Sequence, residues 1–124
     1  MRLFPIEFKA GVPAYEQVLY AARKAIVAGD LKPGDAFPSV RTLSEEFRLN
    51  PNTVQKAIMA LKKEGLVETL PGIGNRVCER PNGSRADRED LLAEPLEALV
   101  VRAKQFHLEL DDVVSALRNH WKNL

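Results

Sequence analysis

Ser39-Val40-Arg41-Thr42-Leu43-Ser44-Glu45-Glu46-Phe47-Arg48-Leu49-Asn50-Pro51-Asn52-Thr53-Val54-Gln55-Lys56-Ala57-Ile58-Met59-Ala60-Leu61 is the stretch that decides how this chain folds. Ser39 is a good N-cap, and Val40, Leu43 and Phe47 follow it on one helical face. That period breaks at Arg48-Leu49. Asn50-Pro51 then opens a second helix: asparagine caps it, and proline at the first helical position gives up an N–H that had no partner there anyway. At about 100° per residue, Val54, Ala57, Ile58 and Leu61 fall on one side of this helix, and Asn52, Gln55, Lys56 and Met59 on the other. Gly65, the usual left-handed residue at a helix end, stops it.

Working outward, Pro13 can occupy the first turn of an earlier helix, with Ala14, Val18, Ala21, Ala22, Ala25 and Ile26 at helical spacing. Ala28-Gly29-Asp30 ends that helix, Lys32-Pro33-Gly34-Asp35 is a turn, and the residues before Pro13 form a short extended lead-in. Downstream the period changes. Leu66 to Leu70 suits a strand, Pro71-Gly72-Ile73-Gly74 a hairpin loop and Arg76-Val77-Cys78 a returning strand. Arg80-Pro81-Asn82-Gly83-Ser84 has linker chemistry. The sequence therefore predicts a mainly α fold with a small β-hairpin: a winged helix-turn-helix over 1–80, then a short two-helix segment over 81–124. In that segment Leu92, Leu96, Leu99, Val100, Ala103 and Phe106 make one apolar stripe, and Val113, Val114, Leu117 and Trp121 another. Pro95 either kinks the first of these helices or begins it.

The 124 residues are 45% hydrophobic and 28% charged, a balance that excludes a disordered or fibrous chain. With 18 Lys and Arg against 17 Asp and Glu, the formal charge of +1 excludes a polycationic coat. No stretch approaches the roughly 18 apolar residues of a membrane helix, the N-terminus has no signal-peptide core, and a single cysteine, Cys78, cannot form an internal disulfide. A cytoplasmic protein is expected.

The polar side of the helix after Pro51 suits a DNA major groove. Asn52 and Gln55 can pair with adenine edges, and Lys56 can reach guanine acceptors or phosphate. Asn50 and Thr53 stand at the N-terminal end, where such helices read bases and where free N–H groups attract a phosphate. The same pattern also describes two caps and a solvated face. Arg41 is a phosphate contact or a surface arginine, and the hairpin tip Gly72-Ile73-Gly74 either approaches a sugar–phosphate backbone closely or is simply a tight turn.

These residues resemble the DNA-binding domain of the GntR family of bacterial transcription regulators. The resemblance runs from Pro13-Ala14-Tyr15-Glu16-Gln17 to Val77, through Gly29-Asp30-Leu31-Lys32-Pro33-Gly34-Asp35, Phe37-Pro38-Ser39-Val40-Arg41-Thr42-Leu43-Ser44, Asn50-Pro51-Asn52-Thr53-Val54, and Glu64-Gly65-Leu66-Val67 with Gly72-Ile73-Gly74. It implies dimers on pseudo-palindromic operators, with the third helix in the major groove and the wing tip at the minor groove. Ser39, Arg41, Asn50, Asn52, Thr53, Gln55, Lys56, Gly72, Ile73 and Gly74 are then the expected DNA-binding residues. Two positions depart from the family. Gln55 stands where many members carry arginine, which shifts the expected base preference from guanine towards adenine. Asn75 and Arg76 replace a hydroxyl and an aromatic residue, which implies a looser wing with a more basic backbone contact.

The short C-terminal segment resembles that of the small YtrA-like subfamily, in which it dimerises the protein. Leu99, Phe106, Leu117 and Trp121 are the expected dimerisation residues, with a C2 dimer matching operator symmetry. His107 stands where that pattern has glycine, and a histidine tolerates positive φ better than most residues. Two short helices do not wall a pocket of the roughly 300 Å³ a small molecule needs, so no effector pocket is expected within one subunit. No catalytic residues, cofactor or metal are expected. Ser39 and Ser44 have no neighbouring histidine, and Leu108-Glu109-Leu110 reads as a turn that separates His107 from Asp111 and leaves Asp111 and Asp112 at a helix N-terminus. Cys78 is expected to be a small buried apolar residue. The alternative is a winged-helix protein–protein module that does not bind DNA.

Overall fold

A computed structural model describes residues 4–79 and 84–124. The linker-like residues 80–83 lie outside that range. The chain divides into two compact units, Met1–Asn82 and Gly83–Leu124.

In the first unit, α1 (Ala14–Ala28) follows Pro13, which takes the N-cap position rather than the first turn, and Gly29 closes the helix at φ 86°. Val18, Ala21, Ala22, Ala25 and Ile26 are buried. Helix α2 (Val40–Phe47) starts where Ser39 Oγ accepts the Thr42 backbone N–H at 3.2 Å, and α3 (Pro51–Lys63) where Asn50 Oδ1 accepts that of Asn52 at 2.8 Å. Leu43, Val54, Ala57 and Leu61 are completely buried, so the apolar faces of α1, α2 and α3 share one core.

The sheet has one strand more than the sequence suggested. Besides the hairpin of β2 (Val67–Leu70) and β3 (Gly74–Val77), a two-residue strand β1 (Ala36–Phe37) pairs antiparallel with β3, giving the order β1-β3-β2. The two residues before Pro38 are too short a run to announce a strand. Pairing brings Phe37 into the core at 4% exposure.

The lead-in packs on the core. Phe4 is buried, with its ring centroid 6.4 Å from Phe37 and 5.3 Å from Phe47. Gln17 on α1 ties the segment down: its carbonyl oxygen accepts the Lys9 backbone N–H at 2.7 Å, and its amide nitrogen donates to the carbonyls of Lys9 and Val12, both at 2.9 Å. Between this segment and α1 lies an open groove of about 780 Å³, lined in part by Ile6, Val12, Tyr20 and Lys24. This groove is open to solvent and lies within the first unit, whereas the expectation of no effector pocket was argued from the C-terminal helices.

Among its described residues the second unit holds three helices, not two. A short α4 (Arg85–Leu91) has a reciprocal cap in which Ser84 Oγ accepts the Asp87 N–H and Asp87 Oδ2 accepts that of Ser84. Helix α5 (Glu94–Gln105) begins anew with Pro95 in its first turn, so proline starts a helix here rather than kinking one. His107 takes φ 58° at the turn into α6 (Leu110–Asn123), the backbone form expected of it. Asp112 Oδ2 accepts the Glu109 backbone N–H at 2.8 Å at the start of α6, so His107 lies before the helix that carries Asp111.

Candidate nucleic-acid interface

On α3 the burial alternates as a groove-reading helix requires. Val54, Ala57, Ile58 and Leu61 are 0–1% exposed, while Asn52, Gln55, Lys56 and Met59 are exposed and Thr53 half-buried. Helix α3 is fixed at both ends. Asn50 caps its start. Near its finish, Arg23 on α1 grips Glu64 with two hydrogen bonds, Nε to Oε1 and Nη2 to Oε2, both 3.0 Å. A bidentate pair of this kind constrains direction as well as distance.

Ser39 and Asn50 spend their side-chain acceptors on helix caps, and Ser39 Oγ also lies 3.0 Å from Thr42 Oγ1. A capping asparagine still has amide donors for another partner. Arg41 points outward, its side chain 87% exposed, and its Nε donates to Glu45 Oε1 at 3.1 Å one turn on. Lys56 does not extend freely into solvent. Its Nζ sits 3.9 Å from the centroid of the Tyr15 ring, at the start of α1. Tyr15 was not marked by the sequence as a site residue; its place in the first turn of α1 becomes meaningful only once α1 packs on α3.

At the wing tip, Gly72 and Gly74 take φ 74° and 115°, and Ile73 between them is 81% exposed. Glycine is needed here because side chains rarely adopt these angles. Side chains link the two strands of the wing. Register sets Glu68 opposite Arg76 and Thr69 opposite Asn75. The Arg76 guanidinium donates to Glu68, and Thr69 Oγ1 donates to Asn75 Oδ1 at 2.7 Å. The Glu68 hydrogen bond holds the Arg76 pKa above its ordinary value. Cys78 comes directly after β3 rather than on it, half-buried, its sulfur 3.9 Å from Glu68. Burial, then the Glu68 charge, pushes the thiol pKa up.

The expected dimerisation residues are all exposed in the single chain: Leu99 at 48%, Phe106 at 61%, Leu117 at 55% and Trp121 at 82%. Ala103 is the one buried hydrophobic residue of the described second unit. No described helix is long and apolar enough to cross a membrane.

Comparison with known proteins agrees with this architecture. The family model described as bacterial regulatory proteins, gntR family, matches residues 14–77, from the start of α1 to the end of the wing. The HTH-type transcriptional repressor YtrA of Bacillus subtilis is 34% identical over 110 residues, covering 88% of this chain and 85% of its own. The fold matches a transcriptional antiterminator from Listeria monocytogenes with a TM-score of 0.83, 22% identity and coverage of 94% of this chain and 88% of the other. AraR(DBD) in complex with operator ORR3 matches with a TM-score of 0.52 and 28% identity, over 60% of this chain and 89% of that one. With a capped, tethered helix-turn-helix, a glycine-tipped wing and a match to both, the chain belongs to the gntR family of bacterial regulatory proteins and is a transcription regulator with a DNA-binding winged helix.

Proposed function

We propose that the chain acts as a cytoplasmic homodimeric repressor that binds a pseudo-palindromic operator, with no cofactor. The observation that carries this reading is the division of α3 into a fully buried apolar face and an exposed face bearing Asn52, Gln55 and Lys56. Asn52 and Gln55 read base edges from the major groove. Arg41, Thr53 and the amide donors that Asn50 keeps while capping α3 hold phosphates, and Ser39 fixes the start of α2 so that Arg41 is presented. Gly72, Ile73 and Gly74 bring the wing to the minor groove.

A second copy accounts for the C-terminal unit, whose apolar stripes through Leu99, Phe106, Leu117 and Trp121 would otherwise face water. A twofold dimer places two α3 helices on successive half-sites about one DNA turn, or a multiple of it, apart. The repressor sense is supported by the name of the Bacillus YtrA relative, and operator binding by the AraR complex.

Selection from a randomised duplex pool tests the reading, with sedimentation of the purified protein alongside. An enriched inverted repeat and a sedimenting dimer are expected. A folded protein that enriches nothing would point instead to a winged helix that binds protein.

A further inference from the structure

The exposed residues of α3 do not all point the same way. Taking Asn52 as the middle of that face, Gln55 lies about 60° to one side and Lys56 about 40° to the other. By angle Lys56 is no farther from the middle than Gln55, and what sets it apart is a neighbour on α1. The Lys56 ammonium rests over the half-buried Tyr15 ring at 3.9 Å. The platform is well anchored. Two residues on from Tyr15, Gln17 clamps the lead-in, and eight residues on, Arg23 holds Glu64 at the far end of α3.

An aromatic face attracts a cation through its quadrupole without neutralising it. The three N–H donors of the ammonium turn to any partner above it, and the long lysine stem has already lost much of the rotamer freedom that gripping a phosphate would cost. To reach the middle of the α3 face, where Asn52 and Met59 stand, the ammonium would have to leave the ring. We infer that Tyr15 is a positioning residue for DNA binding, its ring holding Lys56 at the flank of α3 so that the ammonium meets a backbone phosphate and not a base. This rests on the reading of α3 as the groove-entering helix. It leaves base recognition to Asn52 and Gln55.

Full-length Tyr15→Leu, Tyr15→Phe, Lys56→Met and the double variant Tyr15→Leu/Lys56→Met are titrated against the duplex selected by the unmodified protein, between 50 and 200 mM salt. Lys56→Met is expected to reduce the slope of log affinity against log salt by about one per subunit and to select the same sequence. Tyr15→Leu should weaken binding about two- to fivefold per subunit with no change of charge, while Tyr15→Phe, which keeps the ring face, binds as the unmodified protein does. The double variant should bind no more weakly than Lys56→Met alone, because the ring acts through the lysine. If Tyr15→Leu fails to fold, pentafluorophenylalanine at this position keeps the ring's size while removing its negative face, and the same loss is expected.

Additive losses in the double variant would overturn the inference. So would a Tyr15→Phe as weak as Tyr15→Leu, which would mean that the hydroxyl itself touches DNA, or a changed sequence preference in Lys56→Met. A different result, no salt-dependent binding of any duplex by the unmodified protein, would instead refute DNA binding itself.

Discussion

Replacing Asn50 by aspartate sets the folding role of this residue against its place at the DNA. In the free protein Asn50 Oδ1 accepts the Asn52 N–H at 2.8 Å, and an aspartate oxygen can accept the same bond. The added negative charge lies at the positive end of the α3 dipole, where it stabilises by about 0.3–1 kcal/mol. For a domain the size of the first unit, the melting temperature should rise by about 1–8 °C. In the operator complex the same charge would face a phosphate. Two unit charges 4 Å apart repel by about 1 kcal/mol in bulk water and about 4 kcal/mol at a protein surface, so binding should weaken at least about fivefold per half-site. Asn50→Ala is the control: it loses the cap, costs about 1 kcal/mol, and should lower both stability and affinity. Thermal melts by circular dichroism and fluorescence anisotropy with a labelled duplex measure the two effects on the same samples. An Asn50→Asp variant that melts higher yet binds as tightly as the parent would remove the N-terminus of α3 from the DNA backbone. One that melts lower would refute the cap.

Leu61→Ala empties a fully buried position and should cost about 2–5 kcal/mol, lowering the melting temperature by roughly 10 °C or more in a melt that exposed substitutions such as Lys56→Met do not reproduce. Gln55→Ala should relax selection at one base pair by about 1–3 kcal/mol, and an unchanged set of selected sequences would refute its base-reading role. The raised thiol pKa of Cys78 means that the folded state keeps this proton longer than the unfolded chain does. That share of stability is present below the ordinary cysteine pKa and is lost as pH rises through the raised one, so urea unfolding from neutral to alkaline pH should fall less steeply in Cys78→Ser. Asp87 has the opposite sign: hydrogen bonds from the Ser84 backbone N–H and hydroxyl hold its pKa below the ordinary carboxylate value. Its contribution to α4 is present above that ordinary value and disappears as pH falls through the lowered one, which amide exchange across Arg85–Leu91 would detect.

What the sequence made legible was local. Asn50-Pro51, Ser39 and Gly65 announce helix ends because capping is decided within three or four residues. The two faces of α3 follow from its own periodicity, and burial divides them as that periodicity required. The features not legible depend on partners far along the chain. Strand β1 exists because β3, nearly 40 residues later, offers it an edge. Phe4 is a core residue because Phe37 and Phe47 meet it there, while its neighbours Pro5 and Glu7 give no periodic signal. In α4, Ser84 and Asp87 form a capping pair that could be read, but no apolar stripe follows it: every residue from Arg85 to Leu91 is exposed.

The same division runs through the candidate site and bears on which of its cations are available to DNA. Counted along the sequence, Arg41, Lys56 and Arg76 are equivalent positive charges near the expected interface. Folding distinguishes them. Arg76 is set opposite Glu68 by the hairpin register, so its charge is matched within the wing. The expected loop of Pro71 to Gly74 would have set Glu68 opposite Val77; the pairing appears only because Gly74 belongs to β3 and shortens the turn by one residue. Arg41 pairs only with Glu45, one turn away and largely exposed; such a surface pair is worth at most about 1 kcal/mol, and a phosphate can displace the carboxylate. Lys56 has a neutral ring, not a carboxylate, beside its ammonium. The cations thus rank Lys56, Arg41, Arg76 in readiness for phosphate, an order that charge counting cannot give. Measured one at a time, Lys56→Met and Arg41→Ala should each flatten the salt dependence of binding while Arg76→Gln leaves it nearly unchanged, and a flattening in Arg76→Gln equal to theirs would show that the Glu68 pair opens on DNA.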